Sequence, residues 1–492
     1  MKDLVVLSER YFGDLEAFDE ATQDDSFFEN TFVLPSSLSM SALRNNRKFI
    51  IVGRKGSGKT SVQMHLSESV KKRGYLVHHF RFFYDLRTDD YAEIAKTQNE
   101  VSFSSVVSQK NLFVHYDFRD IWERVFFQKI AQTLLSEGHS NKFTDFVEPQ
   151  NSLLANIFDG ISKSLTVKIK PKMGPIAAEI GIDLSKLDDP NEMPLKVFNK
   201  ITRNLFVQHC VQFQMYFFVD ELVFSRLDAR EDEITIRAAM VRDIIRTVWE
   251  INSYCYKNNM EFHFICSIRP EVRNLINDLD SESGKYLDGK DVELNWITRN
   301  SDNRLLIVDV LRKKVEFSYF KMTPFDTFFT DKIKFGNKSF TVDQLIRENT
   351  WGRPRDVVRL LIAIQKKSPN AEVISETEVK AGLDEYSRMS LKELVDELGV
   401  AFGPQVIDTL RFGIRKRYYN SINEFWDALN TTKLKVNKAR FIKELFELGF
   451  IGGRLQSQGK YFWFHRGESY LKPDHEIVIH PGLWNELSIR GD

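Results

Sequence analysis

The sequence predicts an α/β chain: a parallel-sheet core, then a helical lid, then a C-terminal winged-helix domain. Three observations carry this. Residues 47–52, Arg47-Lys48 followed by four apolar residues, read as a buried strand. It is followed by a glycine loop, a helix with Val62, Leu66 and Val70 on one face and Gly74 as its stop, and a second strand at 75–83. Strand, helix and strand in that order begin a βαβ unit, and such units build parallel sheets. Two further apolar runs, 215–219 and 262–266, flank a long helical stretch at about 234–257 and extend the sheet. The tail reads as three short helices near 403–412, 422–429 and 436–448. Two strands follow, 450–455 and 461–465, around Ser457-Gln458-Gly459-Lys460, and this is the order of a winged helix.

The remaining elements follow from local pattern. Residues 1–46 are an aromatic and acidic lead-in (Tyr11, Phe12, Phe18, Phe27, Phe28) without a clean period. The core runs over 47–310, with an insertion at about 90–200. Within it, an amphipathic helix is expected near 118–135. Thr166 to Lys170 alternates, Gly174-Pro175 turns and 177–184 alternates loosely, which predicts a β-hairpin. Residues 303–320 and 340–397 have helical period and supply a lid over 311–398, with Pro354 in the first turn of one helix. The winged helix occupies 399–492.

Composition bounds the function classes. The 492 residues carry 69 Lys+Arg and 69 Asp+Glu, which excludes a polycation that coats nucleic acid throughout but leaves room for a local basic patch. Three cysteines, Cys210, Cys255 and Cys266, lack metal-ligand spacing and fit a reducing interior. No signal peptide and no run of roughly 20 apolar residues is visible, so a cytoplasmic protein without a membrane contact is expected. The 40 Phe point to aromatic cores. His78-His79 in an apolar strand suits packing better than metal, and core packing suits Trp351 and Trp463 better than base stacking.

The chemistry concentrates in Gly53-Arg54-Lys55-Gly56-Ser57-Gly58-Lys59-Thr60, which fits G-x-x-x-x-G-K-[ST] without deviation and is closed by Ser61. Glycines let backbone N–H groups turn inward around a phosphate, Lys59 brings charge to the β and γ phosphates, and the Thr60 hydroxyl suits Mg²⁺. The helix that starts there aims its positive end at the anion. This is the P-loop pattern, and it predicts ATP and Mg²⁺ as ligands. A second acid is needed, and Tyr216-Phe217-Phe218-Val219-Asp220-Glu221 brings two carboxylates to a strand end. Asp220 is the candidate Mg²⁺ partner. Glu221 is the candidate base that polarises an attacking water, an order that suggests hydrolysis. Arg269 ends the next core strand, where a guanidinium can neutralise charge developing on the γ-phosphate. Trp351-Gly352-Arg353-Pro354-Arg355-Asp356 opens an amphipathic helix, from which Arg355, and less directly Arg353, can reach back to the phosphates.

This series resembles AAA+ ATPases of the signal-transducing STAND and origin-recognition type over most of residues 47–492, the insertion excepted. Tyr11-Phe12-Gly13-Asp14-Leu15, the P-loop and the closing Ile479-His480-Pro481-Gly482-Leu483 are similar to a bacterial family of P-loop ATPases. The resemblance implies that Gly352 to Arg355 is a sensor-two segment with Arg355 as its arginine, that Arg269 is at the sensor-one position, and that Pro354 contacts the adenine. It further implies ATP-dependent oligomerisation, with Arg242, Arg246 and Arg299 as candidates to act across protomers, and a place in bacterial antiphage defence.

The tail adds a partner question. Between Asn430 and Arg466 there are eight basic residues, Lys433 and Lys435 among them, against two acids. Lys438, Arg440 and Lys443 lie opposite Phe441, Leu445 and Leu448 on the third helix, with Arg454 and Lys460 on the wing. That arrangement suits double-stranded DNA, or equally a solvated face that meets protein. The expected function is an ATP-binding and hydrolysing regulatory ATPase whose nucleotide state moves the lid and winged helix. Two alternatives stand beside it: an origin-recognition-like DNA-binding ATPase, and a non-catalytic ATP-gated scaffold for a separate effector.

Overall fold

The computed structural model describes residues 5–82, 117–147, 166–222, 231–430 and 436–489, apart from 170–172, 180, 182, 188, 190–191, 320–321, 331 and 336–337. Lys433, Lys435 and much of the expected insertion lie outside the described residues.

A five-stranded sheet forms the centre. Its strands are β1 (Ile50–Val52), β2 (Leu76–Arg81), β3 (Gln214–Leu222), β4 (Glu261–Ile268) and β5 (Asp291–Glu293), in the spatial order β2-β3-β4-β1-β5. All of its pairings are parallel. Helix α1 (Lys59–Lys71) joins β1 to β2, and α2 (Glu231–Lys257) joins β3 to β4.

Both sheet faces are covered, which is why the strands read as continuous apolar runs rather than alternating ones. Along β3, Met215, Phe217 and Val219 enter one core, shared with α2 and the helix Arg119–Ser136. Tyr216 and Phe218 enter the other, against Val62, Leu66 and Val70 of α1. The abundant phenylalanines fill the first core: Phe126 to Phe217 and Phe217 to Phe264 each have ring centroids 5.1 Å apart. His78 and His79 pack on Phe217 and Phe218, as expected for core histidines.

The predicted hairpin at 166–184 is not formed. Strand Thr166–Lys168 pairs with Glu192–Pro194, and Met173–Glu179 is a helix. Pro175 falls in its first turn, where a missing N–H costs nothing, so Gly174-Pro175 starts a helix instead of turning a hairpin.

The helical segment contains α3 (Leu306–Glu316), α4 (Pro354–Lys367) and α5 (Glu376–Phe402). A capping box of Ser375 and Glu378 starts α5. The C-terminal module holds α6 (Gln405–Gly413), α7 (Ile422–Asn430) and α8 (Lys438–Glu447) with strands β6 (Tyr418–Tyr419), β7 (Ile451–Leu455), β8 (Lys460–Phe462) and β9 (Glu476–Ile479). The expected strand pair is therefore the edge of a four-stranded sheet of order β6-β9-β7-β8. The second expected strand stops at Phe462, and Phe464–Arg466 is a 3-10 turn.

One apolar core runs through both helical segment and C-terminal module, from Leu311, Leu360 and Tyr386 to Leu410, Phe441, Ile477 and Leu483. Leu7 and Phe12 of the lead-in belong to it. Trp351 and Trp463 are buried within this part of the chain, so packing accounts for both. Among the described residues, no helix is long and apolar enough to cross a membrane.

Candidate phosphate-binding site

The loop after β1 is fixed at both ends. The Gly53 N–H donates to Ile268 O (3.1 Å), tying the loop's start to the end of β4. At its other end Gly58, with φ +87°, caps α1. The Gly56, Gly58, Lys59 and Thr60 amides donate to no backbone acceptor among the described residues, as unpaired first-turn donors do. The Ser57 hydroxyl is buried without a hydrogen-bond partner. Lys59 Nζ folds back to Gly53 O (2.7 Å) and Arg54 O (3.1 Å). Burial lowers the Lys59 ammonium to about 8; Arg269 adds to the effect and Asp220 opposes it. A half-buried cation beside loop amides without backbone acceptors is a setting that an anion would stabilise.

The acidic strand meets the loop across β4. Asp220 is buried, and its Oδ2 accepts from Thr60 Oγ1 at 2.6 Å. Its Oδ1 accepts from Ser267 Oγ and from the Glu221 N–H (2.8 Å). Because β4 lies between β1 and β3, Ser267 and Arg269 are delivered between the loop and the carboxylates. A register shift between Val219 and Leu222 marks a bulge there, and Glu221 takes φ +61°. A left-handed Glu is strained, and such strain clusters at functional sites. Arg269 caps the helix Pro270–Leu279 and pairs with Glu271 at 3.5 Å.

A cavity of about 370 Å³ opens over the loop, a size suited to a small-molecule ligand. Gly56, Gly58, Lys59, Thr60, Ser61, Asp220, Glu221, Arg269, Pro354 and Arg355 line it, so most of the residues singled out from sequence converge. The side chain of Arg54 does not. Its guanidinium donates to Phe464 O (2.5 Å) and lies 4.1 Å from the Phe464 ring centroid, and burial lowers it to about 10. Lys55 reaches Glu397 at 2.6 Å and Glu393 at 3.6 Å on α5. Thus the Arg54 and Lys55 side chains hold the loop to the C-terminal and helical parts, Lys55 while still lining the cavity.

Residues 306–395 match the FunZ-associated C-terminal helical domain. No curated protein matches the chain. The FunZ-associated domain spans α3, α4 and most of α5 and forms one wall of the cavity through Val310, Lys314, Pro354, Arg355 and Val358. Arg353 pairs with Asp356 through Nε (2.9 Å) and Nη2 (2.7 Å), and its Nη1 donates to Lys55 O (3.1 Å). The Arg355 N–H donates to Gly56 O (3.3 Å). Its side chain lies between Leu15 O (3.0 Å), Glu16 (2.9 Å) and Glu393 (3.6 Å).

Several lining groups had no sequence signal. Glu16 and Glu20 of the lead-in also line the cavity, beside Asp14 of the Tyr11-Phe12-Gly13-Asp14-Leu15 stretch, with Glu20 paired to buried Lys314. Trp296, just past β5, donates to Ser57 O at 2.7 Å and holds the loop from below. A tryptophan after a short strand has no motif around it, and the acids of the lead-in find their partners only in the folded chain. Of the arginines considered for action across protomers, Arg242 is buried against Asp243, which removes it. Arg246 lies near Asp280 (3.8 Å) and Arg299 near Asp343 (3.6 Å).

The loop's tight approach to α4 makes a stability prediction. A Cβ at Gly56, where φ is +76°, would stand 2.9 Å from Arg355 Cβ. Gly56→Ala, which adds this clash to the backbone strain, is expected to cost about 2–3 kcal/mol in chemical denaturation. Gly74→Ala, with φ +88° and open space around it, should cost only the backbone strain, about 1 kcal/mol. Equal losses at the two positions would contradict a close contact between the loop and α4.

Proposed function

We propose that the chain is a P-loop ATPase of regulatory type, related to AAA+ proteins, that binds ATP with Mg²⁺ in this cavity and hydrolyses it. The observation that carries the reading is the 2.6 Å contact between the Thr60 hydroxyl and the buried Asp220 carboxylate at the rim of a glycine loop. Loop, lysine, hydroxyl and strand-end acid together are what a triphosphate requires. The Ser57 hydroxyl and the loop amides would take phosphate oxygens. Thr60 and Asp220 would hold Mg²⁺, whose role when bound is to neutralise charge on the phosphates.

Glu221 stands beside Asp220 and would orient and deprotonate the attacking water. Arg269 would face the developing charge. Arg355 and Pro354 would report occupancy to the FunZ-associated domain. Because that domain and the C-terminal module share one core, the two would move together when the loop changes shape. Output through a partner protein or an oligomer, in the cytoplasm and in antiphage defence, is proposed on the family resemblance.

The test is phosphate release from ATP by the purified chain, with and without Mg²⁺ and with and without duplex DNA. Mg²⁺-dependent turnover is expected. Stimulation by DNA would favour the origin-recognition-like reading. Tight ATP binding without release would favour the ATP-gated scaffold.

A further inference from the structure

The C-terminal module carries an apolar groove that shares no lining residue with the ATP cavity. It lies between α7, α8 and the segment 469–471 and encloses about 530 Å³. Ile422, Ile442, Phe446 and Leu471 form its floor, and Lys438, Lys443 and Tyr470 stand around it. Tyr470 is 66% exposed. No carboxylate lines the groove among the described residues. Lys438 donates to Asn423 (2.6 Å), and Lys443 pairs with the same-helix Glu447 at 3.6 Å. An exposed i,i+4 pair of that kind is worth a few tenths of a kcal/mol and exchanges readily for another carboxylate.

The same helix is the one that would enter a DNA groove, but its surroundings do not favour nucleic acid. Base readout needs polar side chains free to reach base edges. Arg440 instead lies 5.3 Å from the Phe402 ring, and Arg454 pairs with Glu476 (3.4 Å) and stacks over Tyr418 (4.3 Å). What the face offers is an apolar channel with cations at its edge. That combination is complementary to a helix with an apolar row and acidic flanks, which lays its i, i+3, i+4 and i+7 side chains into a hydrophobic groove.

We propose that this groove docks an amphipathic, acidic helix of a partner protein, with its apolar row on Ile442 and Phe446 and its carboxylates at Lys438 and Lys443. The inference is independent of the ATP reading, since it uses none of those residues.

The experiment is fluorescence anisotropy on the full chain with a labelled amphipathic peptide of about 18 residues, Leu at the helical anchor positions and Glu on the flanks. Saturable binding is expected, weakened at least about tenfold by Lys438→Glu/Lys443→Glu and lost on Ile442→Asp. Should Ile442→Asp fail to fold by thermal melting, the exposed Tyr470→Ala and the charge-reversed pair decide. A peptide with the same Leu row and Lys flanks should bind at least about tenfold more weakly. The proposal is overturned if the acidic peptide does not bind, if the basic one binds as well, or if charge reversal abolishes duplex DNA binding while leaving peptide binding intact.

Discussion

Glu221→Gln is expected to lower ATP turnover by about 10³-fold while ATP still binds with near-normal affinity. Glutamine keeps the size of the side chain and its cavity-lining position but cannot accept the proton of an attacking water. Asp220 beside it would remain to hold Mg²⁺, because its contacts come from Thr60, Ser267 and the backbone N–H of residue 221, none of which needs the Glu221 carboxylate. The bulge, with φ +61° at residue 221, shifts the pairing to β4 by one place at Leu222, while Asp220 keeps its register with Arg81 of β2. Single-turnover phosphate release measured beside equilibrium ATP binding separates the two effects. Unchanged turnover in the variant would remove Glu221 as the base.

Glu393→Gln is the second large effect, and it acts on stability. Glu393 on α5 gathers Arg359, Arg355 and Lys55 around one carboxylate. Burial pushes its pKa up, but Arg353, Arg359, Lys55 and Arg355 outweigh this and hold it at about 2 against an ordinary 4.5. A folded pKa below the unfolded one means stability that is fully present above about 4.5 and lost as pH falls toward 2. Converted through linkage, that is about 3 kcal/mol at neutral pH. Glu393→Gln should therefore lower the denaturation free energy by roughly this amount at pH 7. The gap between variant and wild type should narrow steadily from pH 5 to pH 2. A gap independent of pH would show that packing, rather than charge, is what Glu393 contributes. Because Lys55 is a loop residue and Arg355 belongs to α4, the variant should also loosen α4 against the loop.

The parts of this molecule that were legible from sequence are those whose signal is local. Residues 50–52 are buried on both faces and flow into a glycine loop, so strand, loop and helix declare themselves within a short window. The run into Asp220-Glu221 does the same. Arg269 and Arg355 could be placed because each sits at a boundary, a strand end and a helix start. What stayed hidden depends on contacts distant in the chain. Glu20 meets Lys314 across 294 positions, and Arg54 meets Phe464 across 410. Glu393 is a mid-helix acid with no local mark of its role. The helix over Met173–Glu179 is hidden because Gly174-Pro175 is a hairpin-turn signal and a helix first turn alike, and only the fold decides between them. The strand β9, far along the chain from β6, pairs between β6 and β7, so the local pattern of a two-stranded wing covers only half of the sheet.

The central claim is that the glycine loop, Lys59, Thr60 and Asp220 form an ATP site. Isothermal titration of ATP with Mg²⁺ into the wild-type chain and into Lys59→Ala tests it most directly. One site per chain is predicted for the wild type, with affinity falling at least about 100-fold in Lys59→Ala, the loss of a buried charge-assisted contact of about 3 kcal/mol. Absence of ATP binding by a folded wild-type chain, or equal affinity in Lys59→Ala, would contradict the account.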